Sequence, residues 1–357
     1  MLYLAVSLAA FFLTAKTDDT PTADEPRRFV SVVLTARNEE NNIRECLESL
    51  KNQDWPRDQY EVVIVDDHSK DKTPEIIRVY SDSLENFRSF RLRGGSPGRK
   101  KALAFGIEKA RGEIIMQIDA DCVAGSRWIS ELSSRLRGGD AIVGGAYLIR
   151  ENTRIAADMQ ALEFLYMFSI GKSLARTFRT CSLFGGNMAF SKKAYVQAGG
   201  YQKMSSGALL DYRLVRACHK HRCGGARLIF HADTAVFTRP MRSLKDNIRQ
   251  KKRWTSGFFY PMRGWRILVP FLMALYLGVS IYPVFTTSLP LFVMIRLLAD
   301  IMIMLNPMRH FRQFRFLPYA VLFQFYLVVM VMTVGTTLIV SGNPGRDISR
   351  LSDPKPG

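Results

Sequence analysis

Cysteine and acidic side chains are both scarce in this chain of 357 residues. Its five cysteines show no disulfide framework, which argues against a disulfide-rich secreted domain and predicts free thiols. Asp and Glu together number 32 against 50 Lys and Arg, so the formal charge is +18. A chain this basic is expected to have an anionic partner. The cysteines are Cys46, Cys122, Cys181, Cys218 and Cys223.

Sequence signals of nucleic-acid binding are missing. There is no aromatic-basic ribonucleoprotein motif, no zinc-ligand spacing and no basic helix-turn-helix, so we expect no nucleic-acid partner. An anionic cytosolic leaflet explains the charge better, because each well-placed cation there contributes about 1 kcal/mol. The stretch 218–223 holds four potential metal ligands in an unusual spacing with two cations among them. We interpret it as a helix end followed by the Gly224-Gly225 turn.

Charge is also scarce in four apolar runs, of which only Leu289–Leu305 carries charged residues. Residues 1–15 lack the basic n-region of a signal peptide, so we expect a retained membrane anchor, although about 14 residues is short for a full span. Three later runs predict three transmembrane helices within 265–340, followed by a polar tail over 341–357. These runs are Ile267–Phe285, Leu289–Leu305 and Leu317–Val340.

The basic residues between the apolar runs predict orientation. They cluster after the first run and between the last two, which makes both loops cytosolic and the protein a multi-pass membrane protein with its main domain in the cytosol. Within the middle run, Arg296 and Asp300 either neutralise each other or form a functional polar contact. The loop residues are Lys16, Arg27, Arg28, Arg309, His310, Arg312 and Arg315.

Between these regions, residues 28–258 read as one α/β domain. Apolar runs at Phe29–Leu34, Val62–Val65 and Ile114–Ile118 are typical of parallel strands buried on both faces. Amphipathic segments at Ile43–Leu50 and Lys101–Ala110 separate them, as in a β-α-β pattern. Ligands of such sheets bind beyond the carboxyl ends of the strands, and each of these runs ends in polar residues.

Pairs of carboxylates follow two of the predicted strands. Asp119 and Asp121 come directly after the third run, where both can reach a hard cation such as Mg²⁺ or Mn²⁺ held on a diphosphate. A solvated acidic turn is the alternative. Asp66 and Asp67 follow the second run, and Asp66 is our candidate for contact with a base or ribose. Asp67 could instead cap the next helix.

One acidic residue stands alone in a long stretch without others. Asp211 is the only Asp or Glu from Phe164 through Ala232, which makes it our candidate general base. Its alternative role is helix capping or pairing with Arg213.

A basic segment with helical character runs from Ser243 to Gly257. On it Gln250, Arg253 and Trp254 share one helical face, where Arg253 can neutralise a diphosphate and Trp254 can stack on a sugar ring. Lys251 and Lys252 are expected to point elsewhere, toward lipid headgroups. The alternative is a plain juxtamembrane helix.

Taken in order, these signals resemble a family 2 inverting glycosyltransferase with a GT-A fold. The similarity runs from about Arg28 to Trp254 and includes the Gln-x-x-Arg-Trp motif of cellulose, hyaluronan and ceramide-glucosyl synthases. The resemblance implies a metal held by Asp119 and Asp121, Asp211 as the base, and an acceptor bordered by Gly185, Gly186, Asn187 and Trp254. It implies donor contacts from Ala36, Asn38, Glu39, Asp66, Asp67, Arg99, Lys100, Asp119, Gln250 and Arg253.

The resemblance has two departures. Leu210 stands where family members usually carry an acidic residue before the base, and the chain is short for a polymer synthase with an export channel. We therefore expect Mn²⁺- or Mg²⁺-dependent transfer of one hexose from a UDP-sugar to a lipid-soluble acceptor at the cytosolic leaflet, such as a glycolipid, carotenoid or polyprenyl carrier. The alternatives are a processive polysaccharide synthase and a catalytically silent membrane scaffold.

Overall fold

The structure is a computed structural model of the chain. It describes residues 2–15, 28–136, 140–150, 154–178, 185–204, 209–259, 264–281 and 289–341. The predicted polar tail beyond Ser341, together with Lys16, Arg27 and Cys181, lies outside the described residues.

Ten strands and twelve α-helices are found within the described ranges. The strands are β1 (Val30–Ala36), β2 (Tyr60–Asp66), β3 (Phe87–Arg91), β4 (Ile114–Asp119), β5 (Cys122–Ala124), β6 (Asp140–Gly144), β7 (Tyr147–Ile149), β8 (Asn187–Ser191), β9 (Gly225–Leu228) and β10 (Val236–Thr238). The helices are α1 (Leu2–Ala15), α2 (Ile43–Lys51), α3 (Thr73–Ser83), α4 (Arg99–Lys109), α5 (Trp128–Ser133), α6 (Ile155–Phe178), α7 (Lys192–Gln197), α8 (Leu210–Lys220), α9 (Leu244–Phe259), α10 (Trp265–Ile281), α11 (Leu289–His310) and α12 (Ala320–Ser341).

The predicted α/β sheet is present, with a second small sheet beside it. Seven strands form the main sheet in the order β3-β2-β1-β4-β8-β6-β9, and β5-β10-β7 form the small one. β3, β2, β1 and β4 run parallel, while β8 is antiparallel to both of its neighbours. The three strands predicted from apolar runs are therefore adjacent at the centre of a mixed sheet.

The parallel strands β3, β2, β1 and β4 are stabilised by buried β-branched side chains and by a closely packed helix. Every residue of β2 is buried, as expected for a strand covered on both faces. A Cβ added at Gly106 would lie 2.7 Å from Val33 Cγ1, so only glycine lets α4 approach β1 this closely. α4 thereby covers one face of the sheet and brings its first residue, Arg99, to the carboxyl ends of the strands.

The apolar N-terminal helix α1 packs against the α/β domain and the C-terminal helices. α1 contacts α6 and α11. Asn306 Nδ2 donates to Phe11 O at 2.7 Å and to Thr14 Oγ1 at 2.8 Å, which ties α1 to α11. The predicted N-terminal anchor is thus a helix in contact with both the α/β domain and the C-terminal helices.

Among the described residues, one helical stretch passes for a membrane span by length and composition. It is Phe314–Val340, with Arg266–Tyr276 as a shorter apolar helix. The three predicted runs do form helices, as α10, α11 and α12, but α11 carries the buried Arg296 and Asp300. Arg296 donates to Tyr276 Oη at 2.8 Å and Gln324 Nε2 donates to Asp300 Oδ2 at 3.2 Å, so this polar pair links α10, α11 and α12.

Candidate active site

Strand register brings the predicted polar residues to one edge of the sheet. Ala36 at the end of β1 pairs with Asp66 at the end of β2, and Thr35 pairs with Asp119 at the end of β4. The three strand ends therefore form a single rim, as expected for parallel neighbours.

The acid pair after β2 is engaged by the protein itself. Asp66 accepts from Ser69 N at 3.2 Å and pairs with Arg91 Nε at 3.0 Å, and its side chain is buried. Asp67 accepts from Gly98 N at 2.8 Å and contacts His68 Nδ1 at 2.9 Å. Asp67 therefore holds the residue that precedes Arg99 and does not cap α3.

The loop after β1 is fastened to the loop after β2. Asn38 adopts a positive φ of 55°, a conformation that asparagine tolerates better than most residues. Its N–H donates to Ser69 Oγ at 3.0 Å, and its Oδ1 accepts from Lys70 N at 2.9 Å. Next to it, burial raises the pKa of Glu39 to about 7, with Asp121 and Asp119 adding to the effect. Glu39 therefore lies close enough to both carboxylates to feel their charge.

Asp119 is approached from two sides by polar groups. Its Oδ1 forms an ion pair with Arg99 Nη2, and its Oδ2 accepts from Tyr147 Oη at 3.1 Å. A Cβ at Gly186 would lie 2.1 Å from both Asp119 Oδ2 and Tyr147 Oη. Glycine at 186 is therefore needed for this close approach.

Asp121 lies beside Asp119 with the same charge. Burial raises the pKa of the Asp121 carboxyl, and the negative charge of Asp119 raises it further. A divalent cation bound by the two would remove this repulsion, and carboxylate oxygens are the ligands that Mg²⁺ and Mn²⁺ prefer. Within the described residues no group of three or more His, Cys, Asp or Glu comes together as a metal site, so any ion would rely on these two carboxylates and on bound phosphate oxygens.

Asp211 lies against Gly185, the first glycine of the predicted Gly185-Gly186 pair. It is buried in the first turn of α8, whose N-cap is Leu209 in a left-handed conformation, so Asp211 does not cap its own helix. A Cβ at Gly185 would lie 3.3 Å from Asp211 Cβ. The Gly185 carbonyl accepts from Gln117 Nε2 at 3.0 Å and from Arg99 Nη2 at 3.4 Å. Asp211, Gly185, Arg99 and Asp119 thus form one contiguous group.

Asn187 and Lys100 are used by the fold. Asn187 is fully buried and donates to Ala146 O at 2.7 Å and Thr234 O at 3.0 Å, while its Oδ1 accepts from Trp128 Nε1 at 2.9 Å. Lys100 Nζ donates to Met204 O at 2.9 Å. Both side chains hold loops at the rim. Their contact with an acceptor or donor stays a prediction.

The Gln-x-x-Arg-Trp segment lies on α9 (Leu244–Phe259), which confirms the helix predicted over 243–257. Burial lowers the pKa of Arg253, as does the nearby charge of Arg99, while Asp119 and Asp121 oppose the effect, so Arg253 lies near enough to the acid pair after β4 to feel its charge. Trp254 packs edge-on against Phe164 with ring centroids 5.9 Å apart. Gln250 is half-buried on the same helix.

The expected position of Lys251 is wrong. It does not point to lipid headgroups but is buried, with Nζ 3.1 Å from Glu163 Oε2 on α6. The ammonium also lies 4.5 Å from the Trp254 ring centroid and 4.9 Å from that of Phe164. A charged residue in a basic run looked solvent-facing because the sequence does not reveal the acidic partner 88 positions earlier.

The cysteine prediction holds in the described part of the chain. Cys46, Cys122, Cys218 and Cys223 are free, and α8 ends at Lys220 before the turn that leads into β9 at Gly225. The predicted helix end is therefore confirmed, whereas the turn lies at His221 and Arg222 and not at Gly224-Gly225.

Sequence reasoning missed three residues of this group. Gln117 is buried within β4, where it accepts from Tyr201 Oη at 2.7 Å while donating to Gly185. A polar residue inside an otherwise apolar run was the available signal for it. The sequence around Tyr147 and Tyr201 carries no signal of a site. The strand β7 that holds Tyr147 and the turn that holds Tyr201 reach the rim only through tertiary packing.

Comparison with known proteins gives a consistent match. Residues 31–198 match the family model for glycosyl transferase family 2. The chain is 36% identical over 118 residues to the glycosyltransferase AglE of Haloferax volcanii, covering 33% of this chain and 38% of AglE. It is 37% identical over 99 residues to the beta-monoglucosyldiacylglycerol synthase of Trichormus variabilis, covering 28% of this chain and 21% of the synthase. The chain thus spans less than half the length of these two relatives.

A solved structure shares the architecture over the whole chain. The mannosyltransferase PcManGT of Pyrobaculum calidifontis, determined in complex with GDP-Man and Mn²⁺, superposes with a TM-score of 0.62 at 17% identity. The superposition covers 96% of this chain and 97% of PcManGT. This likeness establishes the GT-A-like fold and confirms the predicted fold class for the α/β domain.

Proposed function

We propose that the protein is a membrane-bound inverting hexosyltransferase, because residues 31–198 match the family model for glycosyl transferase family 2. In this proposal it moves a single hexose from a UDP-sugar to a hydroxyl of a lipid-soluble acceptor at the cytosolic leaflet. The observation that carries the proposal is the contiguous group of Asp119, Arg99, Gly185 and Asp211. It combines groups for an anionic donor with a carboxylate for the acceptor.

The donor end contains a cation site and two arginines. Asp119 and Asp121 would hold Mn²⁺ or Mg²⁺, whose contribution when bound is stabilisation of the departing nucleoside diphosphate. Arg99 pairs with Asp119, and Arg253 lies near enough to both carboxylates to feel their charge; both arginines would neutralise diphosphate oxygens. Asp66, Asp67, Asn38, Glu39 and Ala36 would shape the rim for the uridine, and Lys100 and Gln250 would add donor contacts.

The acceptor end places a base opposite the donor. Asp211 would accept the proton of the attacking hydroxyl, which lets that oxygen attack the face of the sugar opposite the leaving group. Gly185 and Gly186 carry no side chain and therefore let Asp211, Asp119 and Tyr147 approach the backbone at this point, and Asn187 begins the strand β8 that follows them. Trp254 would stack on a sugar ring.

A lipid acceptor is supported by the apolar C-terminal helices. α12 exposes Phe325 and Val329, and α10 exposes Phe271 and Leu275. Exposed apolar surface of this kind is unfavourable in water and typical of a membrane or partner contact. We propose that α10, α11 and α12 cross the bilayer with α1 as a retained anchor and the α/β domain cytosolic. A relative named beta-monoglucosyldiacylglycerol synthase and the Gln-x-x-Arg-Trp motif agree with this type of enzyme.

The test is product analysis with detergent-purified protein. UDP-sugars and, as a second donor class, GDP-mannose are incubated with membrane lipid extract and Mn²⁺ or Mg²⁺, with Asp211→Asn as the control. A single-hexose increment on a lipid that disappears in the control is the expected result. A ladder of increments would indicate a processive synthase instead, and no product with any donor would favour a silent scaffold.

A further inference from the structure

A buried polar cluster connects the apolar helix α12 to the Gln-x-x-Arg-Trp segment. Glu163 Oε2 on α6 accepts from Tyr326 Oη of α12 at 2.9 Å and lies 3.1 Å from Lys251 Nζ of α9. Asn247 Nδ2 of α9 donates to the same Tyr326 hydroxyl at 2.9 Å. One carboxylate oxygen therefore joins three helices.

Burying the charges of Glu163 and Lys251 costs desolvation free energy, so net stability alone does not explain the cluster. Glu163 is 8% exposed and Lys251 5% exposed, and burial lowers the pKa of Lys251 while the Glu163 charge opposes that shift. Removing two charges from water is expensive, and buried ion pairs often add no net stability. Their best-attested use is to fix one arrangement of the elements that carry them.

An aromatic path continues from this pair to the carboxylate rim. The Lys251 ammonium lies over the Trp254 ring at 4.5 Å, and Trp254 packs edge-on against Phe164 at 5.9 Å. Phe164 then contacts Tyr147 with centroids 6.4 Å apart, and the Tyr147 hydroxyl donates to Asp119 at 3.1 Å. Each step is a direct contact between neighbouring side chains.

We propose that Glu163 and Lys251 are positioning residues that hold Trp254 in place for sugar transfer. Through Phe164 they also fix the Tyr147 hydroxyl. Tyr326 connects α12 to this pair by its hydrogen bond to Glu163. This inference rests on the proposed function and deepens it. Neither residue needs to touch substrate. The apolar helix thereby becomes part of the catalytic unit as well as a membrane element.

The test compares Lys251→Met and Glu163→Gln with Lys251→Arg, which keeps the charge. Lys245→Met on the exposed face of the same helix is the control. We expect kcat to fall about a hundredfold in the first two variants, because displacement of a site by about 1 Å costs that much. KM for the donor and the affinity for UDP should stay close to wild type. Lys251→Arg should recover most of the turnover.

A second readout does not depend on turnover. Trp254 fluorescence is isolated by subtracting the spectrum of a Trp254→Phe background, since the chain has four tryptophans. Acrylamide quenching of Trp254 should increase in Lys251→Met and Glu163→Gln and stay unchanged in Lys245→Met. Wild-type quenching in Lys251→Met, or unchanged kcat in both variants, would overturn the proposal. If wild-type protein turned over no donor, the proposed function would fail while quenching still tested the positioning.

Discussion

Two acid pairs follow parallel strands at the same rim, yet their surroundings differ. Asp66 and Asp67, after β2, accept from backbone N–H groups and pair with Arg91 and His68. Asp119 and Asp121, after β4, lie together, where burial raises the pKa of Asp121 and the negative charge of Asp119 raises it further. The carboxylates of the first pair are held by separate partners, whereas those of the second pair lie against each other although Asp119 also pairs with Arg99. The same sequence signal therefore produced a pair held by the fold, called the structural pair, and the pair proposed to bind the metal, called the reactive pair.

The largest effect should come from breaking the reactive pair. Asp119→Asn should lower kcat/KM about a thousandfold, because a catalytic cation contributes several kcal/mol of charge stabilisation. Stability should hardly fall, since the repulsion with Asp121 is relieved. Steady-state kinetics with Mn²⁺ titration and urea unfolding check both parts. Wild-type activity in this variant would remove Asp119 from the site.

The second largest effect should be a pH dependence of stability caused by Glu39, which lies close to the reactive pair. The Glu39 pKa rises to about 7 in the fold from an ordinary value of 4.5, so the folded state keeps a proton that the unfolded state releases. The free energy of unfolding in EDTA should therefore decrease as pH rises from about 4.5 to about 7, by at most about 3 kcal/mol. The raised Asp121 pKa adds a change of the same sign.

Glu39→Gln is the matched variant for this titration. It should flatten the pH dependence measured by urea unfolding at several pH values, leaving the part due to Asp121. A wild-type slope in Glu39→Gln would show that the decrease comes from elsewhere.

The paired glycines sharpen the comparison at the reactive rim. Gly186→Ala places a Cβ 2.1 Å from Asp119 Oδ2, and overpacking of this kind costs about 2 kcal/mol. Gly185→Ala meets its nearest atom at 3.3 Å and should cost much less. Thermal unfolding and Mn²⁺ affinity of the two variants give the comparison. Equal losses would contradict the close approach at Gly186.

The smallest effect should come from the structural pair. Asp66→Asn removes the charge that pairs with the half-exposed Arg91, and such a pair contributes about 1 kcal/mol. We expect a loss of that size in urea unfolding and a weaker UDP affinity, without the thousandfold loss of turnover. An unfolded Asp66→Asn protein would mean that the pair carries more of the fold than its exposure suggests.

Several parts of the fold followed from the sequence because they depend on neighbours in the chain. The apolar runs at β1, β2 and β4 and the amphipathic segments at α2 and α4 have local periodicity that reveals their type. Their polar ends then had to share one rim, because parallel strands in one sheet end on the same side. The lone Asp211 stood out because its surroundings contain no other acidic residue.

Other parts depended on contacts between distant segments. Lys251 was expected to face lipid, but it pairs with Glu163, and no local pattern links positions so far apart. Tyr147 reaches Asp119 only because β7 joins a small separate sheet. Asp66 and Asp119 look alike as strand-end acids, and only the bonds made by Ser69, Arg91 and Arg99 distinguish them.

By itself the sequence determined the α/β class, the order of the central strands' polar ends and the apolar C-terminal third, since all three follow from local periodicity and composition. The tertiary structure decided which carboxylates are neutralised, which lysine is buried and how α12 meets the rim. Those outcomes depend on desolvation and on pairing between side chains far apart in the chain, and such pairing is set only when the helices and sheets have packed.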